Sequence, residues 1–261
     1  MTTQSCLITG ASAGLGALFA EEIAKSGQDV ILVARRMDRL QDLAARLSAA
    51  HNVTATPIVS NLAAPGACTT LIAEIARRGL SVDTLINNAG FGARGAFADS
   101  EVATQAGMID LNCRALVELT HAVLPGMVKL RHGAILNVAS TAGFQPGPGM
   151  AVYYATKAFV LSFSEALHEE LRGSGIAVSA LCPGPTRTEF AEVAGMGGSE
   201  TFDRLAADPA KVVRDGLAAL KRNRAIKVSG VMNAVMAGTV GFAPRGLVRR
   251  ISARVQKSLA G

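Results

Sequence analysis

Residues 5–16 read SCLITGASAGLG, a short apolar run that leads into a loop with three glycines. Apolar side chains with helical spacing follow over residues 15–26. Glycines let a backbone turn tightly and approach a pyrophosphate, while the N-terminus of a helix offers free N–H groups and a positive dipole. The order strand, loop, helix therefore predicts a dinucleotide site, although a glycine-rich loop alone is also compatible with an ordinary strand-to-helix turn.

Apolar runs and helical patterns alternate along the rest of the chain. Predicted strands span residues 5–9, 29–34, 53–59, 84–87, 134–139, 176–182 and 225–229. Predicted helices span residues 15–26, 36–50, 65–78, 104–130, 151–171 and 210–222. This alternation predicts an α/β fold, a Rossmann-type doubly wound parallel sheet of about seven strands with helices on both faces. Ligands of such sheets bind beyond the carboxyl ends of the strands.

The composition fits one large domain. The chain has 261 residues, 49% of them apolar, and no tryptophan, so the core must be built mainly from Ala, Val, Leu and Ile. We expect a single domain over 1–261, with a dinucleotide-binding part over about 1–140 and substrate-side and C-terminal segments over about 185–261.

Cysteine spacing and the N-terminus indicate the compartment. The four cysteines form no CxxC pair and match no metal spacing, so we expect free thiols in a reducing environment and no metal site. The first residues carry no basic segment of a secretion signal. The sequence therefore predicts a cytoplasmic protein.

Positive charge is concentrated at the C-terminus. Residues 210–261 hold eleven Lys or Arg and one acid, a net charge of +10, whereas the whole chain carries +6. An uncharged run over residues 228–243 lies among these basic residues and is short for a spanning helix, which needs about 20 residues. We favour a helix that closes a substrate pocket over peripheral attachment to anionic lipid. No reader motif supports nucleic-acid binding.

The end of the second predicted strand indicates the cofactor. An acid there would hold the ribose 2′-hydroxyl of NAD, but this chain has Ala34 followed by Arg35 and Arg36. A guanidinium matches a 2′-phosphate in charge and planar geometry. The sequence predicts NADP(H) over NAD(H), the alternative being a solvated basic helix start.

Six short motifs occur in order along most of the chain. They are Thr9-Gly10-xxx-Gly14-x-Gly16, Asn87-Asn88-Ala89-Gly90, Asn112, Ser140, Tyr153-xxx-Lys157 and Pro183-Gly184-xxx-Thr188. In this order, and with thirteen residues from Ser140 to Tyr153, the sequence resembles the short-chain dehydrogenase/reductase family. The resemblance implies an oxidoreductase that moves a hydride between a nicotinamide and a carbonyl or alcohol. It also implies a homodimer or homotetramer.

The resemblance assigns a set of residues to the cofactor. These are Gly10, Ser12, Ala13, Gly14, Leu15, Gly16, Arg35, Arg36, Asn61, Leu62, Asn88, Ala89, Gly90, Tyr153, Lys157, Pro183, Gly184, Thr186 and Thr188. Two positions depart from the family. Ala13 stands where many NADP-using members have a basic residue, so we expect Arg35, with Arg36 beside it, to hold the phosphate. Asn61 replaces an Asp that meets the adenine.

The catalytic residues implied are Asn112, Ser140, Tyr153 and Lys157. Tyr153 and Lys157 are four residues apart on a predicted helix and so share a face. A nearby ammonium should lower the pKa of the phenol, which would protonate the substrate oxygen. Ser140 would hydrogen-bond that oxygen, and Asn112 resembles the family residue that holds a water behind the lysine.

Alternatives stay open for three of these residues. Tyr154 and Thr141 neighbour Tyr153 and Ser140 and compete for their roles, and Ser140 is also a plausible helix cap. Asn112 is also compatible with a simple cap or kink in a helix.

The segments that follow the fourth, fifth and sixth strands predict an apolar carbonyl substrate, such as a ketone, aldehyde, steroid or acyl group. They contain Phe91, Phe144, Met150, Phe190, Met196 and Phe202. Glu189 and Glu192 are expected on the solvent side, and residues 195–198 suggest a mobile lid. The alternative functions are an NADP-dependent alcohol dehydrogenase that works in oxidation and a non-catalytic NADP-binding sensor.

Overall fold

One parallel sheet organises the chain in this computed structural model, which describes residues 3–190, 194–195 and 206–258. Within that part of the chain the strands follow the order β3-β2-β1-β4-β5-β6-β7. Their bounds are β1 Thr3–Thr9, β2 Asp29–Ala34, β3 Ala55–Val59, β4 Leu80–Asn87, β5 Gly133–Val138, β6 Ile176–Cys182 and β7 Ile226–Val228. The order reverses between β1 and β4, so a crevice for a ligand opens beyond the carboxyl ends of these two strands.

The helices cover both faces of the sheet, which confirms the doubly wound prediction. Their bounds are α1 Gly14–Lys25, α2 Met37–His51, α3 Ala67–Arg77, α4 Val102–Ile109, α5 Ala115–Leu130, α6 Ala151–Glu170, α7 Pro209–Lys221, α8 Val231–Val240 and α9 Arg245–Ser258. Buried side chains of α1, α2 and α7 share one apolar cluster, and those of α3, α5 and α6 share another.

The strands are continuous apolar runs because both faces of the sheet are covered. Residues 30–33 of β2 have no exposed surface, and their side chains alternate between the two clusters. Val30 and Leu32 pack towards α1 and α2, while Ile31 and Val33 pack towards α3. This double burial explains why the sequence shows uninterrupted Val, Ile and Leu instead of an apolar–polar alternation.

The helix predicted over 104–130 is divided by a π-helical turn at Asp110–Arg114. Helical backbone angles continue through Ile109 and Ala115, so the turn leaves no break in the apolar pattern and could not be seen in the sequence. It adds a residue to the local turn and brings Asn112 into the interior with 2% of its surface exposed. Single π-helical turns of this kind are frequent at functional sites.

The C-terminal part departs most from the expectation. The uncharged run at 228–243 ends β7 and forms α8, and no residue of α8 is buried. In the part of the chain described by the structure, no helix is both long enough and apolar enough to span a bilayer. The four cysteines are free thiols, and Cys6, Cys68 and Cys182 are buried.

Candidate active site

A cleft of about 310 Å³ lies beyond the carboxyl ends of β1, β4, β5 and β6. The predicted residues that line it are Gly10, Ser12, Ala13, Gly14, Leu15, Arg35, Arg36, Asn88, Ala89, Gly90, Ser140, Tyr153, Lys157, Pro183, Gly184, Thr186 and Thr188. The topology therefore gathers residues that are up to 178 positions apart in the sequence, from Gly10 to Thr188, around one space.

The loops after β1 and β4 form a close-packed floor at one end of the cleft. Gly10 has φ of +68°, and a Cβ there would lie 2.9 Å from Asn88 Nδ2. A Cβ on Gly16 would lie 2.1 Å from the carbonyl oxygen of Gly10, so Gly16 supports the loop from beneath. Asn88 Nδ2 donates to Thr9 O at 2.9 Å and fixes the β4 loop against the β1 loop. Only glycine fits at positions 10 and 16, and the tight turn they allow leads into the N-terminus of α1, where free N–H groups fit a nucleotide phosphate.

Asn61 and Leu62 do not line the cleft. Leu62 is buried in the apolar cluster on the α3 side of the sheet, and Asn61 is exposed. A contact of Asn61 with adenine stays a prediction.

The two arginines predicted to hold a 2′-phosphate are exposed at the rim of the cleft. Arg36 donates from Nη2 to Ser12 Oγ at 3.2 Å and to Glu189 Oε2 at 3.1 Å. Arg39 donates to the other oxygen of Glu189 at 2.6 Å, and these two guanidiniums lower the pKa of the Glu189 carboxyl. Glu189 is exposed, as expected, and it also bridges the two arginines at the rim of the cleft.

Tyr153 and Ser140 meet inside the cleft. The Tyr153 side chain is buried, and its burial raises the pKa of the phenol, while a hydrogen bond with Ser140 lowers it. Ser140 also caps the 3₁₀ turn Thr141–Phe144 by accepting from Ala142 N at 3.1 Å, so the capping role and the contact with Tyr153 coexist. The hydroxyl of Tyr154 contacts Gln256 instead, which favours Tyr153 as the residue beside Ser140.

Lys157 is buried beneath Tyr153. Its Nζ donates to Val138 O at 2.7 Å and lies 5.9 Å from the centre of the Tyr153 ring. Burial lowers the pKa of this ammonium to about 8. The expected lowering of the Tyr153 pKa by Lys157 does not occur here, because the ammonium is turned to a backbone carbonyl and burial dominates the phenol.

Asn112 holds the loop that follows β4. Its Oδ1 accepts from Phe91 N at 3.0 Å, and its Nδ2 donates to Phe91 O at 2.9 Å and to Thr156 Oγ1 at 3.1 Å. A Cβ on Gly90 would lie 3.0 Å from Asn112 Oδ1 and 3.6 Å from Lys157 Nζ, so the absence of a side chain there leaves a small space between amide and ammonium. Asn112 positions the loop, and its water-holding role stays a prediction.

The other end of the cleft is mostly apolar. Of the predicted substrate-facing residues, Phe91, Met150 and Phe190 line it, whereas Phe144 packs in another cluster. Phe190 stands against Tyr153, with ring centres 5.5 Å apart. Glu192, Met196, Phe202, Gly197 and Gly198 lie outside the described residues.

We expected the uncharged run at 228–243 to close the pocket, but the C-terminal element that lines the cleft is α9. Gln256 of α9 lines the cleft, contacts the Tyr154 hydroxyl and accepts from Arg94 Nη2 at 2.9 Å. Burial lowers the pKa of Arg94, whose Nε is buried without a hydrogen-bond partner among the described residues. Gln256 carried no sequence signal, because α9 is rich in arginine and reads as a solvated helix.

The comparisons with known proteins agree with this geometry. A family model described as short chain dehydrogenase matches residues 4–197. Sulfoacetaldehyde reductase 2 of Chromohalobacter salexigens is 38% identical over 216 residues, which cover 82% of this chain and 85% of that protein.

Solved structures extend the likeness over nearly the whole chain. A short-chain dehydrogenase from Sphingobium yanoikuyae in complex with NADPH is 36% identical, with a TM-score of 0.82 and 95% of each chain covered. The bulky-bulky ketone specific alcohol dehydrogenase from Comamonas testosteroni is 32% identical, with a TM-score of 0.79 and 95% of each chain covered. With the family model spanning well over half its length, the chain belongs to the short-chain dehydrogenase/reductase family.

Proposed function

We propose that this chain is an NADP(H)-dependent oxidoreductase that interconverts an apolar carbonyl compound and its alcohol. The observation that carries the proposal is the pairing of the Tyr153 phenol with Ser140 above a buried Lys157, in the cleft that the glycine loops also line. A proton donor, an oxyanion donor and a cation then surround one point, as carbonyl reduction requires.

The floor of the cleft fits a dinucleotide. The loop at Gly10–Gly16 and the start of α1 would hold the pyrophosphate, Asn88 and Ala89 would border the adenosine half, and Thr186 and Thr188 would border the nicotinamide half. Arg35 and Arg36 at the rim supply positive charge for a 2′-phosphate. The NADPH complex of the Sphingobium yanoikuyae relative supports this cofactor.

The chain's own residues would manage the proton. Bound NADPH supplies the hydride. Burial keeps the Tyr153 phenol protonated at neutral pH, which is the form that donates a proton to a carbonyl oxygen. Ser140 donates a hydrogen bond to the same oxygen. The Lys157 ammonium would stabilise the remaining phenolate only after its Nζ turns from Val138 O towards the Tyr153 hydroxyl. Alcohol oxidation follows the same path in reverse.

Apolar side chains support a bulky apolar substrate. Phe91, Met150 and Phe190 line the end of the cleft beside Tyr153, and the polar exceptions there include Gln256 and Tyr154. The Comamonas testosteroni relative is specific for bulky-bulky ketones, which agrees with such a pocket. The sulfoacetaldehyde reductase points to small anionic aldehydes instead, so both classes belong in the test.

The test is oxidation of NADPH by the purified protein against a panel of bulky ketones, steroids, acyl substrates and small anionic aldehydes. We expect turnover of bulky apolar carbonyls, and in Tyr153→Phe a fall in kcat of about 10²–10⁴-fold with NADPH binding retained. Tyr154→Phe is the matched control and should keep kcat within a few fold. Undiminished turnover in Tyr153→Phe contradicts the mechanism, and turnover confined to small anionic aldehydes contradicts the substrate class.

The same assay separates the alternatives. A non-catalytic sensor would bind NADPH and turn over no member of the panel in either direction. An enzyme that works mainly in oxidation would be distinguished by the measured equilibrium and by cellular cofactor ratios, because Tyr153 and Ser140 serve both directions.

Cofactor preference is tested at the rim. Arg35→Asp should lower the ratio of kcat/KM for NADPH over NADH, because a carboxylate repels the 2′-phosphate. Arg36→Ala tests whether the second arginine shares this role. Arg39→Ala, which removes a neighbouring guanidinium that does not line the cleft, is the control.

A further inference from the structure

The two C-terminal helices expose an apolar surface, which we call the α8–α9 surface. Its apolar members are Val231, Met232, Val235, Met236, Phe242, Leu247 and Ile251. Phe242, in the link between the helices, is 93% exposed, and Met232 is 71% exposed. On each helix these side chains recur every three or four residues and so share a face, and exposed apolar faces of this kind mark interaction sites.

Helix α9 turns its polar side towards the protein and its apolar side towards solvent. Its buried side chains are polar, since Ser252 donates to Pro146 O at 2.6 Å and Gln256 contacts Arg94 and Tyr154. Its exposed side chains include Leu247 and Ile251, which are four residues apart and share a face. The apolar face is therefore not the one that docks α9 onto its own protein.

Basic residues are exposed around α9, and two of them, Arg250 and Arg254, lie three residues after Leu247 and Ile251 and so border the apolar face. Residues 226–258 hold six Lys or Arg and no acid. Four of them, Arg245, Arg249, Arg250 and Arg254, are exposed on α9. Within residues 3–190, 194–195 and 206–258, no acidic side chain forms an ion pair with any of these four arginines.

We propose that the α8–α9 surface docks on an anionic lipid membrane. Helices with an apolar stripe, a basic border and no spanning length lie in the lipid interface, where each basic residue near anionic headgroups adds to binding. A second copy is a poorer occupant, because a two-fold pairing of this surface would place the arginines of one copy against those of the other.

Docking would place the substrate side of the cleft next to the lipid. One side of α9 bears the exposed Leu247 and Ile251, and the other bears Gln256, which lines the cleft. An apolar carbonyl compound dissolved in the bilayer would then be close to its pocket. This consequence rests on the proposed function, whereas docking itself does not.

The test is flotation of the full-length protein with vesicles of phosphatidylcholine containing 30% phosphatidylserine, at low and at raised salt. We expect binding at low salt that weakens as salt rises, and at least tenfold weaker binding to vesicles of pure phosphatidylcholine. Because the readout is binding, a failure here is distinguishable from a failure of the proposed enzymatic activity.

Two variants separate the contributions of charge and apolar contact. Arg250→Glu with Arg254→Glu, and separately Leu247→Ser with Ile251→Ser, should each weaken binding at least tenfold. The matched charge control is Lys129→Glu with Arg172→Glu, which changes the net charge equally at two exposed positions of other elements and should leave binding within twofold. Retained thermal unfolding and NADPH binding show that each variant is folded.

Three outcomes overturn the proposal. They are the absence of vesicle binding at low salt, equal binding to vesicles with and without phosphatidylserine, and equal loss in the Lys129→Glu, Arg172→Glu control. Light scattering is run alongside. If the protein does not bind vesicles and the Leu247→Ser, Ile251→Ser variant loses the oligomeric state of the native protein, the α8–α9 surface contacts a second copy instead.

Discussion

The interior beside Tyr153 buries polar side chains, whereas the α8–α9 surface exposes apolar ones, so the two regions depart from the usual pattern of burial in opposite ways. Lys157, Asn112 and Thr156 lie in that interior, each with at most 5% of its surface exposed. The C-terminal helices leave Phe242 and Met232 in water. Elsewhere the sheet follows the rule, with apolar strands buried between two layers of helices.

Each departure lowers the stability of the folded state, so folding alone does not explain why it is present. A buried ammonium needs a partner, and Lys157 has a backbone carbonyl, so its charge is retained at the expense of stability. An exposed apolar patch loses the free energy that its burial would give. Local departures from the rules of folding concentrate at functional sites, so the argument that makes the buried polar groups beside Tyr153 a candidate site also makes the α8–α9 surface one.

The largest effect is expected at Lys157. The native pKa of about 8 lies below the unfolded value of 10.5. Below pH 8 the native state must carry a buried charge. Between pH 8 and 10.5 the unfolded state binds the extra proton, so stability rises with pH. The free energy of unfolding of the native protein, minus that of Lys157→Met, should therefore rise by about 3 kcal/mol from pH 7.5 to 10.5 in urea titrations.

The difference between the two proteins cancels other groups that titrate in this range. Lys129→Met, which removes an exposed lysine side chain from α5, is the control for the loss of a lysine. A difference for Lys157→Met that does not change with pH would mean that the Lys157 ammonium is solvated, and the contrast between the buried polar groups beside Tyr153 and the rest of the chain would be lost.

Much of the floor was predictable from sequence because backbone geometry requires particular residue types. Gly10 has a positive φ, and Gly16 packs against a carbonyl, so both positions need glycine. The strands were predictable because double burial requires continuous apolar runs, as in residues 30–33. The four-residue spacing of Tyr153 and Lys157 was visible for a similar reason, since a helix repeats every 3.6 residues.

Gln256 connects the two regions, because it belongs to α9 and lines the cleft. Gln256→Leu removes the side-chain acceptor for Arg94 and the contact with Tyr154, leaving only the backbone carbonyl of residue 256 as an acceptor for Arg94, so α9 should undock more often. Hydrogen exchange of the α9 amides should quicken about tenfold, while that of β1 stays unchanged. Gln256→Glu keeps an acceptor for Arg94 and should preserve most of the protection. Unaltered α9 exchange in Gln256→Leu would show that other contacts hold the helix.

The features that the sequence did not reveal depend on individual side-chain contacts or on local backbone geometry. Gln256, Glu189 and the π-helical turn at Asp110–Arg114 leave no periodic trace, because each depends on a partner far along the chain or on a local backbone adjustment. The uncharged run at 228–243 showed a helix correctly but not which side of it faces the protein. An apolar pattern predicts that a face will be covered, and it does not distinguish a core from a lipid or another chain.

The smallest effect is expected where the apolar side chains face outward. Leu247→Ser with Ile251→Ser should change the free energy of unfolding by no more than about 1 kcal/mol, because about half of each side chain is already exposed. Leu136→Ala, at a position with no exposed surface in β5, should cost about 2–5 kcal/mol and is the matched comparison. Urea unfolding in the absence of lipid measures both. A large loss in the α9 variant would mean that Leu247 and Ile251 are core residues of an oligomer formed in solution, since burial against a second copy is what would give them that weight in water.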